Sequence, residues 1–194
     1  VDILRSSPAD LVHAEVYLCM RVFLCRFASQ HLTGFWPIIL TEMVRILAQA
    51  KVDLPADKSD RLQLVFSVVK LADFLITLQT DDFQIHQWLL ITDTPDATNP
   101  ASSYMADSLL DCLAKFVSEC QRELVFDAND SLERAQQRRP LLQMSSVATI
   151  STLQPFFATA SRAFYQCDFH ATLDWDNINA CLLHDLFEPI HTNT

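Results

Sequence analysis

Apolar side chains recur at three- and four-residue intervals through most of the chain, as expected for helices that bury one face. The first stripe consists of Val12, Val16, Cys19, Phe23 and Phe27. Ser7 and Pro8 precede it, and this pair is typical of a hydroxyl cap followed by proline at the first helical position. The pattern predicts a mostly buried helix that runs from this cap to about Phe27.

Two more helices are predicted in the first half of the chain. One spans residues 37–50, after a break that contains Gly34. The other is capped by Ser59 or Asp60 and runs to about Leu78. Its heptad seam consists of Leu64, Val68, Leu71, Leu75 and Leu78. Because the other faces of this helix are apolar as well, we expect a central helix that is buried nearly all round, not an exposed zipper.

The middle of the chain is predicted to contain a short helix, a loop and a long helix. The short helix covers residues 82–90. Residues 92–103 contain prolines among small polar side chains and are predicted to form a loop. The long helix runs from about residue 101 to about residue 124, with a polar continuation that Pro140 ends.

The last third of the chain begins with residues 140–149, which we expect to be extended. A helix over residues 151–169 follows, with Pro155 in its first turn, where proline is tolerated. Asp174 is predicted to cap a final helix that ends near Phe187.

These helices, with no clean two-residue alternation, indicate an all-α fold in which strands are at most incidental. Stacked antiparallel helices of HEAT or armadillo type are our first expectation, and a compact helical bundle is the alternative. Residues 1–194 are assigned to a single helical domain, since 194 residues suffice for one large core. Because the sequence starts at Val1 without a basic-then-apolar leader, we interpret it as a piece of a longer protein.

The composition excludes several classes of function. Phosphate-binding loops, dinucleotide-binding turns and nucleophile elbows need two or more glycines, and the sequence has only Gly34. No strained turn exposes a nucleophile beside a base, so we predict no enzymatic activity, no catalytic residue and no cofactor. The formal charge of −10 argues against nucleic acid as a partner, because nucleic-acid binding depends on basic patches.

Two cysteine–histidine pairs have the spacing of zinc ligands. They are Cys167 with His170 and Cys181 with His184. The same spacing describes one face of a helix, and the second pair lies among leucines, so buried thiols and core histidines are the preferred interpretation. No metal site is predicted, and the six cysteines are interpreted as reduced thiols of a cytosolic protein.

Arg134, Arg138 and Arg139 form a small basic cluster after an acidic stretch. Such a cluster is usually a solvated helix end. The alternative is a site for the headgroup of an anionic lipid, and these arginines are the lipid-binding candidates.

Several segments resemble the C-terminal region of Dopey proteins. They are residues 35–42 (FWPIILTE), 70–75 (KLADFL), 82–88 (DFQIHQW), 91–93 (ITD), 139–142 (RPLL) and 153–157 (LQPFF), with Ser161. The segments stand in the family's order and span about residues 11–169.

The resemblance implies a C-terminal fragment of a much larger cytosolic scaffold, peripherally bound to Golgi and endosomal membranes and acting in membrane traffic. It implies association with a guanine-nucleotide-exchange-factor-like Golgi scaffold and with a phospholipid flippase, and a phosphoinositide-binding role for this C-terminal part. A leucine-zipper-like C-terminus linked to self-association is also ascribed to the family. Here the seam from Leu64 to Leu78 is short and predicted to be buried, which argues against a literal zipper.

The first functional hypothesis is therefore a non-catalytic interaction domain of a trafficking scaffold, and the alternative is a phosphoinositide headgroup-binding domain. Because 50% of the residues are apolar, surplus apolar surface must be buried internally or shared with a partner. Together with the resemblance, this favours a homodimer. We expect exposed side chains of the last two helices to form its interface, and the candidates are Phe156, Phe157, Trp175 and Leu186.

Overall fold

The computed structural model describes residues 9–86, 90–91, 109–120, 137–166 and 171–187. In these ranges the chain forms seven α-helices. They are α1 (Asp10–Arg26), α2 (Trp36–Val52), α3 (Asp60–Leu78), α4 (Asp81–His86), α5 (Leu109–Cys120), α6 (Gln154–Gln166) and α7 (Trp175–Phe187). The all-α prediction is confirmed, whereas HEAT- or armadillo-like stacking stays a prediction.

The helices share one hydrophobic core, with α3 at its centre. α1 and α2 pack against α3, α5 packs against α2 and α6, α6 also contacts α3, and α7 packs against α1. Every residue of α3 from Leu62 to Leu78 is buried. The prediction of a central helix is confirmed, and the heptad seam is inside the molecule.

Local signals set both ends of α3. The side-chain oxygen of Ser59 accepts the backbone N–H of Leu62 at 3.1 Å, so the predicted cap is present. At the other end, Gln79 has a left-handed φ of 51° and donates its N–H to the carbonyl of Leu75 at 2.9 Å. This geometry satisfies a carbonyl that the helix end would otherwise leave unpaired.

α1 differs from its prediction in the face that it buries. It starts at Asp10 after Ala9, and the predicted cap at Ser7 lies outside the described residues. Its buried side chains are His13, Ala14, Tyr17, Leu18, Met20, Arg21 and Leu24. In the predicted stripe from Val12 to Phe27, only Val16 packs partly against the core and the other side chains are exposed, so the expectation that this stripe is buried is wrong. The physical reason is that α1 is apolar on both faces, and the face with Tyr17 and Met20 packs into the core.

α2 agrees closely with its prediction. It starts one residue earlier than expected, with proline near its N-terminus, and ends at Val52. The predicted apolar face is buried and consists of Ile39, Met43, Ile46, Leu47 and Ala50. On the outer face, Arg45 Nε lies 2.8 Å from a carboxylate oxygen of Glu42.

The second half of the chain is described in part. A 3-10 turn at Ile150–Leu153 leads into α6, and Pro155 stands in the first turn of α6 as predicted. The carboxylate of Asp174 accepts the N–H of Asn177 at 3.0 Å, which confirms the predicted cap of α7. The predicted loop over residues 92–103 lies outside the described residues.

A short pair of parallel strands joins two connecting segments. β1 (Gln137–Arg138) pairs with β2 (Thr172–Leu173). The predicted polar helix through residue 139 is therefore wrong at its described end, where Gln137–Arg138 is extended because it hydrogen-bonds to β2. Among the described helices, none is both long and apolar enough to cross a membrane.

Candidate interaction surface

The outward face of α1 is an apolar stripe. Val12, Phe23 and Phe27 are 41%, 40% and 53% exposed. Cys19 between them is exposed as well, and Val16 is half-buried. From Val12 to Phe27 the stripe extends about 22 Å at 1.5 Å per residue. Single exposed apolar residues are common on proteins, but a continuous stripe of this length is typical of an interaction site.

Aromatic rings enlarge one end of this stripe. The rings of Phe23 and Phe27 meet edge to face, with centroids 5.2 Å apart. With His31, Leu32 and Phe35 they line an open groove of about 450 Å³. Leu32 is buried, whereas Phe35 is 40% exposed. The groove therefore presents aromatic rings to a partner, and such rings often contribute most of the binding energy at interfaces.

The outward face of α7 is apolar too. Its inner face buries Ile178, Cys181 and Leu182. Its exposed apolar side chains are Trp175, Leu183, Leu186 and Phe187. The predicted exposure of Trp175 and Leu186 is confirmed, and their role in an interface stays a prediction.

α1 and α7 lie side by side and run antiparallel. Arg21 contacts Asp185, and Arg26 Nη2 donates to Asn179 Oδ1 at 2.7 Å. Moving towards the C-terminus of α1 thus corresponds to moving towards the N-terminus of α7. Because Phe23 lies one turn from Arg26 and Leu183 one turn from Asn179, the two exposed stripes are neighbours. We call this combined face the α1–α7 surface, and its residues are Val12, Cys19, Phe23, Phe27, Leu183 and Leu186.

A buried cluster of charges joins α7 to the core. Asp185 accepts hydrogen bonds from Arg21 of α1 and from Lys70 of α3, the latter at 2.5 Å. The side chains of Arg21, Lys70 and Asp185 are 3%, 2% and 6% exposed. Removing one partner of a buried ion pair costs about 3–5 kcal/mol, because the remaining charge has no compensation.

Aromatic rings and a second carboxyl complete this cluster. The Arg21 guanidinium lies 5.5 Å from the centroid of the Phe74 ring, and Lys70 Nζ lies 5.2 Å from that of Phe66. Burial lowers the pKa of Lys70, and the nearby Asp185 opposes this shift. Burial raises the pKa of Asp73 to about 6, with hydrogen bonds from the backbone and the charge of Lys70 acting in the opposite direction.

This cluster was not predicted from the sequence. Its residues are distant along the chain, since Arg21 and Asp185 are separated by 164 positions and Lys70 and Asp185 by 115. The available signal was Lys70 and Asp73 inside α3. Most residues of this helix are apolar and it is expected to be buried, and buried charges need partners.

The comparisons with known proteins agree with the resemblance in the sequence. The sequence profile of the family described as DOP1 C-terminal matches residues 1–169. The chain belongs to the DOP1, or Dopey, family and corresponds to its C-terminal region. No solved structure matches the chain.

Individual DOP1 relatives come from fungi and animals. Protein dop1 of Emericella nidulans is 32% identical over 109 residues, which cover 55% of this chain and 6% of the relative. Protein DOP1B of Mus musculus is 27% identical over 197 residues, covering 84% of this chain and 8% of the relative. Protein pad-1 of Caenorhabditis elegans is 30% identical over 131 residues, covering 61% and 5%. The chain thus spans less than a tenth of the length of these relatives.

The DOP1 match divides the charge cluster between two parts of the chain. Residues 1–169 contain Arg21, Lys70 and Asp73 but end before α7, which supplies Asp185. The segment 70–75, which carries part of the resemblance, holds Lys70 and Asp73.

Two of the four predicted interface residues are in the core of this DOP1 region. Phe156 and Phe157 are 4% and 0% exposed, and their ring centroids lie 6.2 Å apart. The prediction that these rings are exposed is wrong, because α6 packs against both α5 and α3 and both rings are enclosed.

The lipid-binding candidates have different environments. Arg138 is half-buried, and its Nε donates to the carbonyl of Ala171 at 3.1 Å. Arg139 is exposed, and Arg134 lies outside the described residues. Headgroup binding stays a prediction, with Arg139 as its exposed described residue.

The cysteine–histidine pairs are described only in part. Cys181 is a buried free thiol whose pKa is raised by burial, and His184 is exposed on the same helix. Cys167 and His170 lie outside the described residues. In the described part of the chain, no three His, Cys, Asp or Glu side chains are grouped to hold a metal ion.

Proposed function

We propose that this chain is a non-catalytic interaction domain of a DOP1-family scaffold in membrane traffic, and that it self-associates through the α1–α7 surface. The observation that supports this proposal is the exposure of two neighbouring apolar stripes on a protein that already buries a large apolar core. Water contact with such a face is unfavourable, and pairing two copies removes both faces from water.

A two-fold arrangement suits this surface because the same face then serves both partners. Phe23 and Phe27 supply aromatic anchors on one side, next to Phe35 of the adjoining groove, and Leu183 and Leu186 supply aliphatic contacts on the other. Arg26 and Asn179 lie between the two stripes, and their hydrogen bond satisfies polar groups that pairing would bury. The partner of Arg26 is neutral, so the charge of its guanidinium has to stay at the hydrated rim when the apolar stripes pair.

The wider setting is also proposed. By family resemblance, the whole protein acts on Golgi and endosomal membranes with a guanine-nucleotide-exchange-factor-like Golgi scaffold and a phospholipid flippase. Headgroup binding is a second proposal, carried by the exposed side chain of Arg139.

Light scattering at several concentrations tests self-association. In the tens-of-micromolar range we expect a mass of twice the 22.1 kDa of one chain. Phe27→Asp places a charge in the α1–α7 surface and should restore the mass of one chain without changing helicity. The matched control is Val52→Asp, at an 85% exposed apolar position at the end of α2, and it should remain dimeric. A wild-type mass that stays near 22.1 kDa would contradict the proposal.

A further inference from the structure

The carboxylate of Asp185 occupies a site that α1 and α3 form. Arg21 reaches it from α1 and Lys70 from α3, and each cation binds a different carboxylate oxygen. Both cations lie against aromatic rings of α3, namely Phe74 and Phe66. Both cations and both rings thus come from α1 and α3, whereas α7 supplies the carboxylate and the buried thiol of Cys181 near Lys70.

This site requires an anion. Arg21 and Lys70 are almost completely buried, and Arg21 Nε has no hydrogen-bond partner among the described atoms. Asp73 compensates part of the positive charge, but it is hydrogen-bonded to the N–H of Leu142 and not to either cation. Two cations at this depth would be strongly unfavourable without the carboxylate that bridges them.

The helix that supplies the carboxylate, α7, lies at the edge of the fold. α7 buries only Ile178, Cys181 and Leu182, besides the side chain of Asp185. Seven of its thirteen residues are exposed. It also lies beyond the DOP1 match, which ends at residue 169, whereas both cations lie within the match.

We propose that Arg21 and Lys70 form a receiving site for a carboxylate on an amphipathic helix, that α7 fills this site in cis, and that an acidic helix of a partner protein displaces α7. The partner helix would carry an Asp or Glu three or four residues after buried apolar positions, as Asp185 follows Cys181 and Leu182. Charge complementarity and this spacing identify the partner by its chemistry.

Release of α7 is the expected response when the carboxylate is lost. If α7 stayed in place, Arg21 and Lys70 would remain buried without a bridging anion. If α7 withdraws, water reaches both cations while the apolar contacts between α1 and α3 persist. Local opening of one peripheral helix is therefore more favourable than unfolding of the core.

Hydrogen exchange of α7 tests the cis contact in the whole chain. In Asp185→Asn we expect amide exchange over Trp175–Phe187 to accelerate by about a hundredfold or more, with protection of Asp60–Leu78 retained. Asp176→Asn is the matched control, because it makes the same chemical change at an exposed position of α7. It should alter exchange only by about fivefold or less, as expected for a charge near a helix N-terminus.

A peptide of residues 171–187 tests the site in trans. The labelled peptide should bind Asp185→Asn protein saturably in a fluorescence anisotropy titration, and at least about tenfold more tightly than it binds the wild type, whose own helix competes. The same peptide with Asp185→Asn should bind at least about tenfold more weakly.

Three outcomes would overturn the proposal. One is that α7 keeps its protection in Asp185→Asn, and another is that α7 and α3 lose protection together. The third is equal binding of the two peptides. None of these readouts depends on the mass of the protein, so failure here is distinguishable from failure of the proposed self-association.

Discussion

Asp73 lies inside α3, where one carboxylate oxygen accepts the N–H of Leu142 at 2.7 Å. Burial raises the pKa of this carboxyl from 3.8 to about 6. The folded state therefore binds the proton more tightly than the unfolded state does. Protonation of Asp73 therefore raises the unfolding free energy. This gain is complete below pH 3.8 and is lost as the pH rises through about 6.

Substitution of Asp73 tests this pH dependence. Asp73→Asn keeps an acceptor for Leu142 but does not titrate. From pH 7 to pH 5 we expect the wild type to gain about 1 kcal/mol of unfolding free energy relative to this variant. Urea unfolding of both proteins at both pH values measures the difference. A difference that does not change with pH would contradict a titrating buried carboxyl.

The burial of Phe157 is tested by truncation. Phe157→Ala should lower the unfolding free energy by about 3–5 kcal/mol, because it removes a core ring and leaves a cavity. Phe187→Ala, at a 77% exposed position, is the control. It should change the stability of the monomer by about 0.5 kcal/mol or less in urea unfolding. Equal losses in the two variants would mean that Phe157 is not a core residue.

At the scale of helices, local signals made several elements predictable. Ser59 and Asp174 are caps, and each fixes a helix start through a hydrogen bond within three residues. The nearly continuous apolar sequence of α3 likewise predicts a helix buried on all sides. These features depend on neighbours in sequence, so no knowledge of the rest of the fold is needed.

The orientation of α1 was not predictable in the same way. The helix has apolar residues on two faces, and hydrophobic periodicity does not say which face meets α3. Phe156 and Phe157 raise the same difficulty, because their burial depends on α5 and α3. The bridge from Asp185 to Arg21 and Lys70 depends on contacts over more than 100 positions, for which the sequence contains no local signal.

Headgroup binding is tested at Arg139, in the segment that follows β1. Arg139→Glu should weaken flotation with anionic liposomes, and raised salt should do the same, because the attraction is electrostatic. Lys51→Glu reverses another exposed charge and is the matched control for the change in net charge. If both variants float like the wild type, the proposed headgroup site is not at Arg139.

At the scale of the whole molecule, net charge opposes self-association and exposed apolar surface favours it. Each copy has a net charge of −10, so two copies repel one another, and apolar contact has to outweigh this repulsion. Salt screens the repulsion over about 8 Å at physiological ionic strength. Raised salt should therefore strengthen self-association, while it should weaken headgroup binding.

Reactivity of the Cys19 thiol tests the α1–α7 surface most directly. This thiol is exposed in the single chain and lies within the stripe that pairing would cover. In a pulse of alkylating reagent read by peptide mass spectrometry, we expect labelling of Cys19 to slow as the protein concentration rises. Labelling of half-buried Cys112 on α5 should stay constant, and Phe27→Asp should abolish the concentration dependence for Cys19. A doubled mass with unchanged labelling of Cys19 would contradict the account, because the copies would then associate through a different face.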